Sequence, residues 1–173
     1  MDPPAAWYAG IPKEAVVTAI VERAREVLGE ILGRMGFEAT VEASESEEKV
    51  SLEVKGPDAG LIIGKKGQTL DALQHLVAKV VFRGKEGTPE AGKPIQVDTE
   101  GYRQRRIESL EAMAKRMAEK VVATRRPLEV DPMSPADRRV IHMALANVAG
   151  VTTRSEGEGM DRRLVILPAP EKV

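Results

Sequence analysis

Leu61-Ile62-Ile63-Gly64-Lys65-Lys66-Gly67 is a run of three apolar residues followed by two glycines that bracket two lysines. Gly64 and Gly67 let a backbone approach a ligand with no Cβ in the way. Lys65 and Lys66 place positive charge at the tip of the turn, beside exposed backbone N–H groups, where a passing polyanion would meet both. The plainer alternative is a tight turn between helices that glycine merely permits. The spacing alone leaves both open, so the flanking chain has to separate them.

Downstream, Leu70, Leu73, Leu76, Val77, Val80 and Val81 form an amphipathic stripe, with Gln68, Asp71, His75 and Lys79 on the opposite, wet face. His75 is therefore expected in solvent rather than at a catalytic or ligand position. Upstream, Val17, Ile20, Val21, Ala24, Val27, Leu28, Ile31 and Met35 keep three-and-four spacing from Lys13 onward, and Gly36 is a natural terminator. Phe37, Ala39 and Val41, then Val50, Leu52 and Val54, alternate with polar residues and predict a hairpin with one buried face. Asp58 is placed to cap a short helix that leads into the glycine turn. Gly84 to Lys93 predicts a loop, and Ile95 with Val97 a third strand. One sheet with helices on one face would bury all these stripes.

A boundary is expected at about Asp98 to Gly101. Beyond it, Tyr102 to Thr124 predicts a long helix with Ile107, Leu110, Ala114, Met117 and Val121 as its seam. Arg103, Arg105 and Arg106 crowd its first turn, where the helix dipole disfavours cations, which points to a binding role. Leu128-Glu129-Val130 predicts a short strand. Ser134 as cap, Pro135 in the first position and Asp137 three residues after the cap start a helix running to about Val148. Val151–Ser155 and Arg162–Leu167 predict a hairpin around Gly157-Glu158-Gly159. The N-terminal arm, 1–12, carries Trp7 and Tyr8.

Composition removes several classes of function. The 173 residues contain no cysteine and two distant histidines, His75 and His142, which excludes thiol chemistry and disfavours a zinc site. No cofactor or metal is expected. No apolar run approaches the roughly 18 residues that span a bilayer, and Met1 to Gly10 does not read as a secretory signal, so a cytoplasmic protein is expected. A phosphate-binding P-loop fails on the spacing of Gly60 and Gly64 and on Lys66, which stands where the hydroxyl residue belongs. A dinucleotide fingerprint lacks its third glycine, and no nucleophile–base pairing is visible, so no enzyme is expected.

Charge is segregated. Residues 1–60 carry 6 basic and 12 acidic side chains, whereas 61–85 carry 5 against 1 and 101–126 carry 8 against 3, within a net charge of −1. Such segregation can hold a polyanion on one surface.

An apolar pair, Gly-x-x-Gly with basic middle residues and then an amphipathic helix, in a helix-first order, resembles a type II KH domain (helix-strand-strand-helix-helix-strand). That resemblance implies that Gly64, Lys65, Lys66 and Gly67 hold the backbone of single-stranded nucleic acid. In Arg138-Arg139-Val140-Ile141-His142, Arg138 and His142 form an Arg-x-x-x-His pair at the edge of an apolar stripe. With Tyr102-Arg103-x-x-Arg106 upstream and Thr152-Thr153-Arg154-Ser155-Glu156-Gly157 and Arg162-Arg163 downstream, it resembles the single-stranded-nucleic-acid domain named for that motif. The expected organisation is α+β: an arm (1–12), a KH domain (13–98), a small α/β Arg-x-x-x-His domain (99–168) and a tail (169–173).

This order of domains resembles the bacterial Jag/KhpB family. The resemblance implies a single-stranded RNA-binding chaperone or post-transcriptional regulator linked to cell-wall synthesis and cell shape, with a small single-KH partner protein. Arg103, Arg106, Arg138 and His142 are expected to form a second phosphate-contacting surface beside the Gly-x-x-Gly loop. Single-stranded DNA is the alternative ligand, and an adaptor that homodimerises through the KH domain is the alternative function. Many members carry a further N-terminal domain; here about 12 residues precede the first helix. A role resting on that domain, such as association with a membrane insertase, stays open.

Overall fold

The computed structural model describes residues 13–83 and 93–170. The arm with Trp7 and Tyr8, nearly all of the loop from Gly84, and the end of the tail lie outside the described residues. The chain divides into two compact units, Met1–Tyr102 and Arg103–Val173, and the fold is α+β.

In the first unit, α1 (Lys13–Arg34) ends on Gly36 at φ 81. The Gly36 N–H donates to Gly33 O (3.1 Å) and the Phe37 N–H to Leu32 O (3.1 Å), the paired bonds that close a helix over a left-handed residue. Its buried face carries Ile20, Val21, Ala24, Val27, Leu28 and Leu32. The expected Ile31 is only partly buried and Met35 is 49% exposed. Leu32, one i+4 step from Leu28, takes the place in the core, because Met35 already belongs to the terminating turn.

β1 (Thr40–Glu45), β2 (Val50–Lys55) and β3 (Ile95–Thr99) form a sheet in that order, β1–β2 antiparallel and β2–β3 parallel. Leu52 pairs Ala43 on one side and Val97 on the other. Val50, Leu52, Val54, Ile95 and Val97 therefore share one buried face under α1 and α2 (Gln68–Val81). Thr99 is fully buried and its hydroxyl donates to Val54 O (2.8 Å). Phe37 and Ala39 pack on this core but precede the strand, which starts at Thr40. On α2 only Leu70, Leu73, Val77 and Val81 are buried, whereas Leu76 (50%) and Val80 (45%) are exposed. Both sets satisfy three-and-four spacing, but they lie roughly 70–100° apart around the helix, and one sheet can cover only one of them.

In the second unit, α3 (Tyr102–Thr124) and α4 (Pro135–Leu145) lie with a sheet ordered β4 (Leu128–Glu129), β6 (Arg163–Pro168), β5 (Val151–Glu156), all antiparallel. The core takes Leu110, Ala114, Ala118 and Val121 from α3, Ile141 and Leu145 from α4, and Leu164 and Ile166 from β6. Ile107, expected in the seam, is 37% exposed, because the buried stretch of α3 starts at Leu110; Met117 is only partly buried, and Ala118 packs instead. Ser134 Oγ accepts the Asp137 N–H (3.1 Å) with Pro135 in the first turn, as the cap signals require. α4 stops at Leu145, earlier than expected. The Ala146 and Val148 N–H groups turn back to Met143 O and Leu145 O, and the chain swings through Gly150 (φ 85) into β5.

Candidate nucleic-acid interface

A short 3₁₀ helix, Ala59–Ile63, buries Ile62 and leaves Leu61 67% exposed beside the glycine turn. Asp58 stands at its start but does not cap it. The Asp58 carboxylate accepts the Glu38 N–H (2.9 Å) instead, fastening the loop after β2 to the entry of β1.

Gly64 has φ 67, ψ −170, a region open essentially to glycine alone. A Cβ there would also stand 2.8 Å from Thr69 Cβ and 3.1 Å from its amide nitrogen. Gly67 is buried at φ 85, ψ 6, and its Cβ would stand 2.8 Å from Cε1 and 3.1 Å from Oη of Tyr102. Both glycines are therefore required twice, by their dihedrals and by the side chains packed under them. Lys65 and Lys66 form a single 3₁₀ turn between them, exposed, with Lys66 left-handed at φ 55, ψ 27. α2 begins directly after, and its N-cap, Gly67, supplies no side-chain cap. Uncapped N–H groups and the positive end of the helix dipole thus lie beside two exposed ammonium groups, a setting that favours an anion. Asp71 in the first turn of α2 offsets part of that field. His75 is exposed, as the helical wheel predicts.

In the second unit Arg138 and His142 lie on one face of α4. Arg138 Nη1 donates to Ser155 Oγ (3.1 Å), and His142 Nδ1 shares a 2.6 Å hydrogen bond with Thr153 Oγ1. Four residues of helix rise about 6 Å and two residues of strand about 6.6 Å, so an i,i+4 pair on α4 meets an i,i+2 pair on β5 in register. A groove of about 600 Å³ opens over this seam, lined by Pro135, Ala136, Arg138, Arg139, His142 and residues 153–155 with Leu164. Arg138 is half-buried and its Nε is buried without a hydrogen-bond partner, so part of the guanidinium's donor capacity is unspent. Arg154, between Thr153 and Ser155, is paired with Glu156 at the rim.

Arg106 has a different setting. Its Nη2 donates to Asp137 Oδ2 (2.8 Å), with the two side chains 23% and 12% exposed. Asp137 belongs to the first turn of α4, so Arg106 holds the start of the helix that presents Arg138. Arg103 is half-buried and is not among the groove's lining residues. The structure thus joins Arg138 and His142 in one groove and sets Arg106 behind them. Sequence places Thr153, Ser155 and Tyr102 inside motif stretches without giving them a role, and it does not point to Thr69. The i,i+2 hydroxyls of β5 opposite Arg-x-x-x-His are the pattern that signals the first two.

Among the described residues no cluster of three or more histidine, aspartate or glutamate side chains could hold a metal ion, and no helix is long and apolar enough to cross a membrane.

Residues 14–88 match the family model of the KhpA/KhpB KH domain, and residues 108–168 match that of the domain named for its Arg-x-x-x-His motif. The chain is similar to the RNA-binding protein KhpB of Clostridium symbiosum, with 40% identity over 169 residues that cover 93% of this chain and 74% of that one. It is 34% identical over 148 residues to the RNA-binding protein KhpB of Bacillus subtilis, covering 84% of this chain and 69% of the relative. The RNA-binding protein KhpB of Lactiplantibacillus plantarum is 32% identical over 136 residues, with 79% of this chain but 41% of the relative covered.

Proposed function

Because the chain belongs to the KhpB family, we propose that it binds single-stranded RNA without transforming it, using the Gly64-Lys65-Lys66-Gly67 turn as a backbone clamp. The turn's construction carries this reading: two glycines that tolerate no side chain, two exposed lysines and an uncapped helix start. In the proposed mode, phosphates lie against Lys65, Lys66 and the positive end of α2, while a base rests on apolar surface next to the exposed Leu61. The Arg138–His142 groove takes a further stretch of backbone, Arg106 supports it from behind, and Arg103 contributes charge at the start of α3. The functional domains are assigned to 13–98 and 99–168.

The finer reading, supported by family resemblance, is a cytoplasmic RNA chaperone or post-transcriptional regulator acting on cell-wall synthesis and cell shape, with a small single-KH protein as partner. Fluorescence anisotropy with an unmodified RNA oligomer tests the clamp. Replacing Lys65 and Lys66 by Asp is expected to weaken binding about tenfold or more and to flatten its salt dependence. Unchanged binding would rule the clamp out, and equal competition by the matching DNA strand would remove the preference for RNA.

A second reading, an adaptor that pairs through its first domain, draws on Leu76 and Val80, exposed one turn apart on α2. Sedimentation of Leu76→Asp/Val80→Asp against the parent, with and without RNA, separates the two. An adaptor would assemble regardless of RNA and lose assembly in the variant.

A further inference from the structure

We propose that the solvent-facing ridge of α3 is a second phosphate track, along which RNA leaving the Arg138–His142 groove continues. The proposal rests on the RNA-binding reading above and adds a surface to it.

At about 100° per residue, Arg105, Ser109, Ala112, Arg116, Lys120 and Ala123 follow one another at intervals of three or four, roughly opposite the buried seam. All six are exposed. The acids of α3, Glu108, Glu111 and Glu119, lie to one side of this ridge. On its other side Arg106 reaches Asp137 in the first turn of α4, where Pro135 and Ala136 line the groove. The ridge therefore presents cations separated only by serine and alanine, begins one residue before the Arg106 that pairs with the first turn of α4, and runs about 22 Å from Arg105 to Lys120.

Two features bear on what this ridge can bind. Some exposed cations are answered by carboxylates, Arg23 by Glu26, Arg25 by Glu22, Lys55 by Glu42 and Arg163 by Glu129, while others, such as Lys79 and Arg162, have no ion pair among the described residues. Among the described residues, the Arg116 and Lys120 side chains have no ion pair or hydrogen bond. They also stand at i and i+4, the spacing at which like charges destabilise a helix and a glutamate would stabilise it. The small side chains of Ser109 and Ala112, between Arg105 and Arg116, allow a strand to approach the helix closely. A chain of phosphates spaced along one line complements this row.

The test uses the full-length Arg116→Gln/Lys120→Gln variant with two unmodified RNA oligomers, one of about 4 nucleotides and one of about 16. For the long oligomer, the slope of log K against log salt is expected to fall in magnitude by about 1.4, from two single-strand phosphate contacts at about 0.7 each. The short oligomer should bind as it does to the parent, and Glu119→Gln should not reduce the slope. An unchanged slope for the long oligomer overturns the track. So does equal loss for both oligomers, which would mean a diffuse field rather than a contact line. If the variant loses affinity for polyglutamate but not for RNA, the ridge serves an acidic protein and the track is wrong. Indifference of both oligomers to Lys65→Asp/Lys66→Asp would instead bring down the clamp, leaving the ridge to be judged by its own slope.

Discussion

Gly67→Ala, made alone and together with Tyr102→Ala, should reveal what holds the lysine turn in shape. Two costs act at Gly67. Its dihedrals, φ 85 and ψ 6, are left-handed, which penalises an L side chain by roughly 1–2 kcal/mol. The added methyl would also stand 2.8 Å from Tyr102 Cε1, well inside the roughly 3.5–4.0 Å of a relaxed carbon contact. Overpacking of that kind costs about 1–3 kcal/mol. The single variant should therefore lose about 2–5 kcal/mol. In the Tyr102→Ala background the ring is gone and only the dihedral penalty stays, so the two substitutions should couple favourably by about 1–3 kcal/mol. Because the chain forms two units, global melting is a poor readout, and exchange of the amides of Leu70 to Val77 in α2 reports the local free energy directly. Tyr102→Phe, which keeps Cε1, should show no such relief. If Gly67→Ala costs the same with and without the ring, to within about 0.3 kcal/mol, Tyr102 is not what excludes a side chain there. RNA binding provides a second reading: Tyr102→Ala should weaken affinity while leaving the salt slope intact, because no charge is removed.

Lys66→Gly relieves a left-handed lysine, worth roughly 1–2 kcal/mol, against about 0.5–1 kcal/mol of added chain entropy. A net gain of about 0.5–1 kcal/mol in α2 exchange should accompany a loss of about 0.7 in the RNA salt slope. Asp137→Asn leaves the half-buried Arg106 guanidinium short of its anion and should cost about 1–3 kcal/mol in thermal unfolding of the second unit. Arg106→Met/Asp137→Leu, which removes both charges, should recover part of that loss. Thr153→Val removes the hydroxyl bonded to His142 Nδ1. It should weaken RNA binding through the groove with a stability change of about 1 kcal/mol, and equal binding would show that His142 needs no such orientation.

What the sequence made legible was local. The end of α1 at Gly36, the Ser134 cap and the lysine turn each depend on residues within a few positions, and glycine announces a backbone that other residues avoid. The α2 stripe was half legible. Leu70, Leu73, Val77 and Val81 share their spacing with Leu76 and Val80, and only the position of the sheet selects between them. What could not be read was long-range complementarity. Arg106 looks from sequence like a cation set against a helix dipole and free for phosphate, yet its answering carboxylate, Asp137, lies 31 residues away. Tyr102 reads as the first residue of a helix, and its role under Gly67, 35 residues earlier in the chain, follows from packing alone.

The same contrast bears on how a chain of net charge −1 could hold a polyanion. At physiological ionic strength the Debye length is about 8 Å, so a phosphate responds to the charges around its contact and hardly to the total. The acidic excess has its own place. Glu42, Glu53 and Asp98 stand in register across the three strands of the first sheet, on the face away from its helices. Lys55 answers one of these carboxylates, Glu42, and Lys93 pairs with Glu45 at the end of the same strand. Lysines used in this way neutralise their own surface and add nothing to a nucleic-acid contact. Lys65, Arg116 and Lys120 are different, because no carboxylate lies within ion-pair distance of them among the described residues. A polyanion gains most where a cation has no internal partner to give up. Lys65 in the glycine turn and Arg116 with Lys120 on the ridge of α3 are among such cations.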